Sequence, residues 1–416
     1  MGLILYLERM LWGGPLLVGL LGTHVYFTAA LRGIQRRTVQ GIRYSLSRER
    51  GADGISSFGA LSTALAAAVG TGNIVGVATA VALGGPGAVF WCWLTGVLGM
   101  ATRYAETVLT LRHKEKLPGG GLTGGPMYVM ERGMNSPGMA KCFSLMGVLA
   151  AVGTGALIQS NAIGAALPVS PVWTGAVAAV LTAMVIFGGA RSIAGFCEKL
   201  VPAMAGIYLS GCVCLLWIHR GLLPETLRLI VISAFSARGL FTNESGMGTA
   251  PMAAACAPGG DIHREALVAM TGVFWDTVVI CAMTGLAVVS SVLAEPERFT
   301  GVDPARLCFL AFERLPAGEI LLTGCLVTFA YATIVGWYWY GAVCGRYLWG
   351  EKGVRRYRLG YLLAVFAGGL TGLELVWSVG SILAGLMAAP NLMSLWKLRR
   401  VVVQEFRHSH TKCTQK

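Results

Sequence analysis

Long apolar runs recur along this 416-residue chain, and a run of about 20 apolar residues can cross a lipid bilayer as a helix. The chain is 55% hydrophobic and 13% charged, with a mean hydropathy of +0.65. A soluble protein of this length would instead show polar-faced helices or alternating strands. The sequence therefore predicts an all-α polytopic membrane protein embedded in the lipid bilayer. Clear runs lie at about 10–31, 58–83, 85–110, 143–167, 172–188, 200–218, 267–294, 318–345, 359–373 and 376–396.

The basic residues that give the chain its net charge of +13 are concentrated between these runs. They cluster at 32–57, 103–142, 191–199 and 346–358 and in the tail from residue 397. Such clusters are typical of cytoplasmic loops. The charge therefore predicts no nucleic-acid partner, although contact with anionic lipids is compatible with it. The connections at 167–172 and 295–319 are then external, with Met1 outside the cell and Lys416 in the cytoplasm.

One further crossing is expected in the segment 222–262. Between the basic connections at 191–199 and 346–358 the chain must cross the membrane an even number of times, but only three apolar runs are clear there. The segment contains two short apolar stretches around the polar residues Arg238 to Ser245, which favours a helix broken within the membrane. The total becomes about 11 transmembrane helices.

The helix count suggests an internal repeat. Without the first helix, ten remain, and each set of five begins with a broken helix. Breaks at matching positions of two halves indicate an inverted repeat with a binding site near the membrane midplane. The predicted units are an N-terminal helix with a basic loop (1–57), a first repeat (58–221), a second repeat (222–396) and a basic tail (397–416).

The tetrapeptide GTGN at Gly70–Asn73, within the apolar run 58–83, is the first candidate site. Glycine, threonine and asparagine disfavour the interior of a helix. A break in a membrane helix is tolerated only where it contacts protein or a water-filled cavity. Freed carbonyls could hold a cation, and the N-terminus of a half-helix beginning near Ile74 would favour a carboxylate. The alternative is a packing face, because Gly72 and Gly76 form a GxxxG motif.

Two further regions carry polar or aromatic residues within apolar surroundings. Arg238 and Glu244 could line a site or pair with one another, and the carbonyls near Phe241 could receive an ammonium group. Thr333 and Trp337 lie four residues apart, so they share a helical face. A hydroxyl group beside an aromatic wall suits a small amphipathic solute.

Asp276 and Gln159 are single polar residues inside apolar runs. Asp276 is expected near the cytoplasmic end of its span, where it could relay protons or cap a partner helix. Gln159 could face a cavity or form a hydrogen bond between helices. The sequence contains no catalytic constellation, metal-ligand cluster or nucleotide motif, so we expect neither an enzyme nor a resident cofactor.

Several sequence blocks together resemble the alanine or glycine:cation symporter family, also called the sodium:alanine symporters, within the LeuT-type fold superfamily. The resemblance extends over nearly the whole chain. The strongest blocks include GTGNIVGVATA within Ser62–Ala82, GGPMYVMERG at Gly124–Gly133, RGLFTNESGMGTAPMAAA at Arg238–Ala255 and MAAPN at Met387–Asn391.

The resemblance implies a LeuT-type 5+5 inverted repeat with discontinuous first and sixth core helices and one extra N-terminal helix. It also implies sodium-coupled symport of a small neutral amino acid, alanine or glycine, by alternating access in a prokaryotic plasma membrane. Na⁺ would be the coupling ion, with no other cofactor and no obligatory protein partner. Substrate contacts carried over from the family are Thr71, Gly72, Asn73, Gln159, Phe241, Thr333, Ile334 and Trp337. The sodium ligands carried over are Ala66, Val69, Ala330 and Thr333.

The chain departs from the family pattern before Arg238. The family usually has a longer segment there, so Leu227–Ala237 would have to form the first half of the sixth core helix. A chain that lacks this wall of the pocket could be impaired in transport. Gly59, Ala332 and Ala342 also differ from the common family residues. An uncoupled or proton-coupled amino-acid facilitator is the other alternative.

Overall fold

The computed structural model is almost entirely helical. It describes residues 14–47, 49–51, 54–117, 121–235, 249–257, 261–370 and 373–414, together with 2, 6, 10–12 and 247. The helices are α1 (Pro15–Ala30), α2 (Thr38–Ser45), α3 (Ser57–Ala68), α4 (Gly72–Gly84), α5 (Gly87–Arg112), α6 (Pro137–Ala166), α7 (Pro171–Ile186), α8 (Gly189–Ile218), α9 (Leu223–Ser233), α10 (Ile262–Ala294), α11 (Leu307–Phe312), α12 (Gly318–Gly368), α13 (Leu373–Lys397) and α14 (Arg399–Thr414).

Short elements complete the described chain. Strands β1 (Glu115–Lys116) and β2 (Leu122–Thr123) form an antiparallel pair. The remaining short helices are Ile34–Arg37, Pro126–Tyr128, Val129–Gly133, Arg220–Leu222, Pro251–Ala254, Pro296–Phe299 and Pro304–Arg306.

The all-α polytopic class is confirmed. Six helical segments within the described residues are long and apolar enough to cross a membrane, and the bent pair formed by α3 and α4 makes a seventh. The six are Met10–Ala30, which contains α1, and α6, α8, α10, α12 and α13. The total of eleven crossings, the inverted repeat and the four predicted units stay predictions.

Several helices extend beyond the apolar runs that predicted them. Helix α10 begins at Ile262 rather than near residue 267, because Asp261 caps its N-terminus by accepting hydrogen bonds from the backbone N–H groups of His263 (2.9 Å) and Arg264 (3.4 Å). Helix α8 likewise begins at Gly189 rather than near residue 200. Hydropathy marks the part of a helix that lipid can surround, and in α10 the side-chain cap decides where winding begins.

The central element is α12, which packs against α3, α6, α7 and α8. The backbone breaks helical geometry at Gly350, where φ is 63° and ψ is −167°. That left-handed φ favours glycine, and it divides the element into two helices, as the two predicted runs at 318–345 and 359–373 require. Residues 332–345 of α12 are buried, so this helix forms the wall against which the candidate site is built.

The segment 222–262 contains two described helical pieces, α9 and the turn Pro251–Ala254. Helix α9 ends at Ser233, whereas the sequence predicted a half-helix over Leu227–Ala237. It lies against the beginning of α5, where the Trp91 indole Nε1 donates a hydrogen bond of 2.7 Å to the Ala234 carbonyl. The intervening candidates Arg238, Phe241 and Glu244 lie outside the described residues.

Candidate functional site: the break between α3 and α4

The helix that begins at Ser57 is interrupted after Ala68, as the sequence predicted. Val69 leaves helical geometry with ψ at 87°, and the axes of α3 and α4 then differ by 57°. The break therefore falls on Val69 and Gly70, slightly before the predicted position. Winding resumes at Thr71 rather than near Ile74, because Thr71 and Gly72 accept helical geometry once the chain has turned.

Asn73 holds this break in place. Its side-chain Oδ1 accepts a hydrogen bond of 3.1 Å from the Gly70 N–H, and its own backbone N–H donates to the Gly70 carbonyl at 3.1 Å. In an uninterrupted helix the Gly70 N–H would instead bond to the carbonyl of Ala66, four residues earlier. The asparagine side chain thus replaces a main-chain acceptor and releases the Ala66 carbonyl.

Two of the predicted sodium ligands, Val69 and Thr333, lie together at the break. Thr333 Oγ1 donates to the Val69 carbonyl at 3.4 Å and to the Phe329 carbonyl at 3.0 Å. The close approach requires glycine at position 70, since a Cβ there would lie 2.6 Å from Thr333 Oγ1. The other two, Ala66 and Ala330, are fully buried. Unwound main-chain carbonyls and the C-terminal ends of half-helices are the groups that coordinate sodium in broken transporter helices.

Trp337 and Ile334 also belong to the α12 wall. The Trp337 indole Nε1 donates a hydrogen bond of 3.1 Å to the Ala67 carbonyl in the last turn of α3. The Ile334 carbonyl accepts one of 2.7 Å from the Tyr361 hydroxyl. Gly336 permits this contact between α12 and α3, because a Cβ there would lie 2.6 Å from the Ala67 nitrogen. Both predicted residues are buried, and Trp337 is bonded to the end of α3 at the break.

Thr71 and Gln159 meet on the other side of the break. Thr71 Oγ1 donates to Gln159 Oε1 at 3.2 Å, and both side chains are buried. Gly72 is exposed, and no described residue lies within 4 Å of a Cβ placed at Gly72 or at Gly76. The alternative that the GxxxG motif forms a packing face is therefore wrong for the described part of the chain.

A cleft of about 960 Å³ reaches down to Thr71. Helix α4 forms one wall, and small residues at the end of α6 form another. Its mouth carries two exposed charged residues, Arg306 and Glu319. Among the described residues that were predicted to contact substrate, Thr71 is the one that lines this cleft.

Asp276 contacts the break directly, which corrects its predicted place near the end of a span. Asn73 Nδ2 donates to Asp276 Oδ1 at 2.7 Å and lies 3.3 Å from the Cys281 sulfur. Asp276 Oδ2 accepts a hydrogen bond of 2.8 Å from Thr277 Oγ1. The sequence singled out both Asn73 and Asp276 as unusual polar residues, but nothing in it indicated that they meet.

The cytoplasmic end of α3, by the predicted topology, is held by two carboxylates that the sequence analysis missed. Ser56 caps the helix through the Gly59 N–H (2.9 Å) and donates to Glu198 Oε1 at 2.5 Å. Ser57 donates to Glu265 Oε1 at 2.8 Å. A Cβ at position 59 would lie 2.5 Å from Glu198 Oε1. A side chain there would therefore require the end of the flexible Glu198 side chain to shift.

Comparison with known proteins supplies the family. The model of the sodium:alanine symporter family matches residues 2–416. Over 96% of this chain and 94% of the relative, the sequence is 40% identical to the sodium/alanine symporter AgcS of Methanococcus maripaludis. It is 39% identical, with the same coverage, to an uncharacterized transporter of Haemophilus influenzae. The probable sodium/glutamine symporter GlnT of Bacillus subtilis is 31% identical over 94% of this chain and 87% of its own length.

These matches test two predictions made from the sequence. The family and these relatives are transporters, so the expectation that the chain is not an enzyme is confirmed. The family resemblance seen in the sequence blocks is confirmed as well. The chain belongs to the sodium:alanine symporter family.

Proposed function

We propose that this protein is a sodium-coupled symporter of a small neutral amino acid, alanine or glycine, in the plasma membrane of a prokaryote. Family membership supports sodium-coupled amino-acid transport, and the similarity to a sodium/alanine symporter supports the substrate. The observation that carries the proposal is the break between α3 and α4. It combines released main-chain carbonyls, a threonine hydroxyl group and an accessible helix N-terminus within a few residues.

The substrate carboxylate would bind at the N-terminus of α4. The first N–H groups of a helix lack intrahelical partners, and the helix dipole favours negative charge there. Thr71 lines the cleft, and Gly72 leaves its backbone uncovered. Gln159 would orient the Thr71 hydroxyl group. The substrate ammonium group would turn toward the carbonyls near Phe241, outside the described residues.

The Asn73 side chain would act mainly by holding the backbone of the break in place. Its amide oxygen is bonded to Gly70 and its amide nitrogen to Asp276, so the side chain is occupied on both sides. We therefore assign it the role of keeping the break open, while Thr71 and Gly72 contact the substrate. This differs from the equal roles that the family resemblance implied for the three residues.

Sodium would bind to the Ala66, Val69 and Ala330 carbonyls and to the Thr333 hydroxyl. Three features fit an oxygen-ligated monovalent cation: the Ala66 carbonyl is released by Asn73, the Val69 carbonyl lies beyond the last turn of α3, and Thr333 spans the gap from α12. Sodium would bind between α3 and α12 and stabilise the same arrangement as substrate. Each ligand would then increase the affinity of the other by an equal factor.

The contacts on the two sides of the break support an outward-facing state. The cleft reaches Thr71 from residues 305–306 and 319, which lie in a connection predicted to be external. On the opposite side, Ser56 and Ser57 tie α3 to Glu198 and Glu265. Alternating access would require these hydrogen bonds to open as the cleft closes.

Uptake of labelled alanine into proteoliposomes tests the proposal. We expect accumulation that requires an inward sodium gradient and that unlabelled glycine reduces. Unlabelled glutamine is a useful competitor because one relative is a probable sodium/glutamine symporter. Uptake that does not depend on the sodium gradient would refute the coupling. Stronger inhibition by glutamine than by glycine would refute the substrate assignment.

The variant Thr71→Val tests the site. It removes the hydroxyl group that bonds to Gln159 while it keeps the volume of the side chain, so we expect the half-saturating alanine concentration to rise by about fivefold or more, the equivalent of one hydrogen bond. Thr79→Val is the matched control, because Thr79 lines the same cleft farther from the break. Equal kinetics for the two variants would contradict the assignment of Thr71.

A transport-impaired protein is the alternative that the shortened segment before Arg238 supports. The alignment with AgcS extends over 428 positions although it covers 96% of a 416-residue chain, so the relative carries residues that this chain lacks. If the wild type shows no uptake, insertion of the corresponding segment of AgcS after Phe235 should restore it. Failure to restore uptake would remove the shortened segment as the cause.

A further inference from the structure

Asp276 is a buried carboxyl group whose hydrogen-bond partners among the described residues are neutral. It lies in the irregular segment Phe274–Cys281 of α10, and 9% of its surface is exposed. Its two oxygens accept hydrogen bonds from Asn73 and Thr277, which are both neutral. Within the described part of the chain, no lysine, arginine or histidine nitrogen lies within 4.0 Å of this carboxyl group. A carboxylate in this position would bear a large desolvation penalty.

Arg103 lies nearby but is already paired. Its Nη1 is 3.3 Å from Glu106 Oε2, and Asn391 Nδ2 donates to Glu106 Oε1 at 2.7 Å. A cavity of about 20 Å³ is lined by both Arg103 and Asp276, with Thr277 and small apolar residues around it. That volume holds about one water molecule. Because Arg103 shares its charge with Glu106, it offsets a negative Asp276 only in part.

Few other ionisable groups surround Asp276 in the described residues. Helices α3 and α4 and the turn Pro251–Ala254 contribute none to its surroundings. On α5, which packs against its segment, Arg103 lines the shared cavity and Glu106 is the ion-pair partner of Arg103, and the helix also carries the Cys92 thiol. On α10 itself, the Cys281 thiol follows Asp276 by five residues and Glu265 precedes it by eleven.

We propose that Asp276 is a proton-binding site that opposes sodium binding at the break. The proton would bind to Oδ2, and the Thr277 hydroxyl group would rotate to accept a hydrogen bond from it. Oδ1 would continue to accept from Asn73, so the Asn73–Gly70 bond and the break would survive protonation. Protonation would change the charge of Asp276, which is connected to the break by two hydrogen bonds through the Asn73 side chain. A negative Asp276 favours sodium there, whereas a protonated Asp276 does not.

The transport consequence rests on the proposed symport function. Because proton and sodium binding are linked, each ligand must weaken the other by the same factor. In wild-type protein the half-saturating sodium concentration should therefore rise on acidification. The rise approaches about tenfold per pH unit when one proton competes with one sodium ion.

The variant Asp276→Asn separates charge from hydrogen bonding. Asparagine can accept from Asn73 through its oxygen and donate to Thr277 through its nitrogen, so it copies the protonated carboxyl group and keeps both contacts. We expect its sodium requirement to be high and independent of pH. Asp261→Asn is the control, because Asp261 is an exposed cap on the same helix and asparagine caps helices equally well. Loss of the pH dependence in both variants, or its persistence in Asp276→Asn, would overturn the proposal.

Infrared difference spectroscopy of the purified protein provides a readout that needs no transport. Between alkaline and acidic pH, wild-type protein and Asp261→Asn should gain the C=O stretch of a protonated carboxyl group that Asp276→Asn lacks. If Asp276→Asn does not fold, Thr277→Val should shift this band by removing the hydroxyl partner. A difference spectrum that neither variant alters would overturn the proposal, as would an ion pair between Asp276 and Arg238. A protein that shows the band but no uptake would refute the symport proposal alone.

Discussion

Replacing Asn73 with alanine tests the idea that a side chain keeps the helix open at the sodium site. The variant removes the acceptor of the Gly70 N–H (3.1 Å) and a donor to Asp276 (2.7 Å). The Gly70 N–H can then bond to the Ala66 carbonyl, as in a continuous helix. This hydrogen bond would extend α3 across the break. The Ala66 carbonyl, one of the proposed sodium ligands, would then be occupied and unable to bind sodium.

The size of the effect follows from that exchange. Sodium must now compete with an intrahelical hydrogen bond, and such a bond contributes about 0.5–1.5 kcal/mol net. Sodium binding should therefore weaken by about two- to tenfold. Asp276 also loses its Asn73 partner, and a buried acceptor without a donor costs about 1–3 kcal/mol of folding stability.

Two measurements on the same preparation separate these effects. The half-saturating sodium concentration for alanine uptake reports the first, and the midpoint of thermal unfolding in detergent reports the second. Asn161→Ala is the matched control, because it removes an amide that donates to the Gly368 carbonyl at 3.1 Å, away from the break. We expect the control to lower stability without changing the sodium requirement. An unchanged sodium requirement in Asn73→Ala would refute the release of the Ala66 carbonyl.

Two further substitutions, each with a control, test the packing at the break and the cap at the start of α3. Gly70→Ala would place a Cβ 2.6 Å from Thr333 Oγ1, so it should destabilise the protein by about 1–3 kcal/mol and weaken sodium dependence. Gly76→Ala, which meets no described residue within 4 Å, should do neither, and similar unfolding midpoints for the two variants would contradict the account. Ser56→Ala should cost about 0.5–2 kcal/mol as a lost cap, measured by thermal unfolding. Ser136→Ala is its control, because that residue precedes α6 without a side-chain cap bond, and an equal loss in both variants would show that the Ser56 contacts are unimportant.

The break itself could be predicted because its cause is local. Two glycines, a threonine and an asparagine within an apolar run disfavour a continuous helix, and the structure departs from helical geometry at Val69 and Gly70. The shared helical face of Thr333 and Trp337 was predictable for the same reason, since a spacing of four residues suffices. Both residues do bond to the end of α3.

The partners of these residues could not be predicted, because they are distant in the sequence. Asn73 and Asp276 are 203 residues apart, and Ser56 and Glu198 are 142 apart. Hydropathy and periodicity describe one helix at a time, so they show that Asp276 is unusual but not which group it meets. Its position within its helix was also misjudged, because α10 begins at Ile262, before the apolar run.

The irregular backbone around the break has a common form. Four π-helical segments occur among the described residues, and three of them, Gly72–Gly76, Ala151–Leu157 and Phe274–Cys281, lie near the break. The first contains Asn73, the second ends two residues before Gln159, and the third contains Asp276. A π-helical segment carries i→i+5 hydrogen bonds within an α-helix, and such segments are rare and frequently occur at functional sites. Within lipid such backbone persists only where protein or a cavity covers it.

Hydrogen bonds between these irregular segments and their neighbours connect the proposed sodium, substrate and proton sites. Asn73 bonds to both Gly70 and Asp276, so a change of winding in α10 would move the acceptor that holds the Gly70 N–H. Thr71 bonds to Gln159, so a change in α6 would move the hydroxyl group at the floor of the cleft. The proposed sodium, substrate and proton sites are therefore linked by hydrogen bonds through residues in or next to π-helical segments. Such links are what a transporter needs if binding at one face is to alter closure at the other.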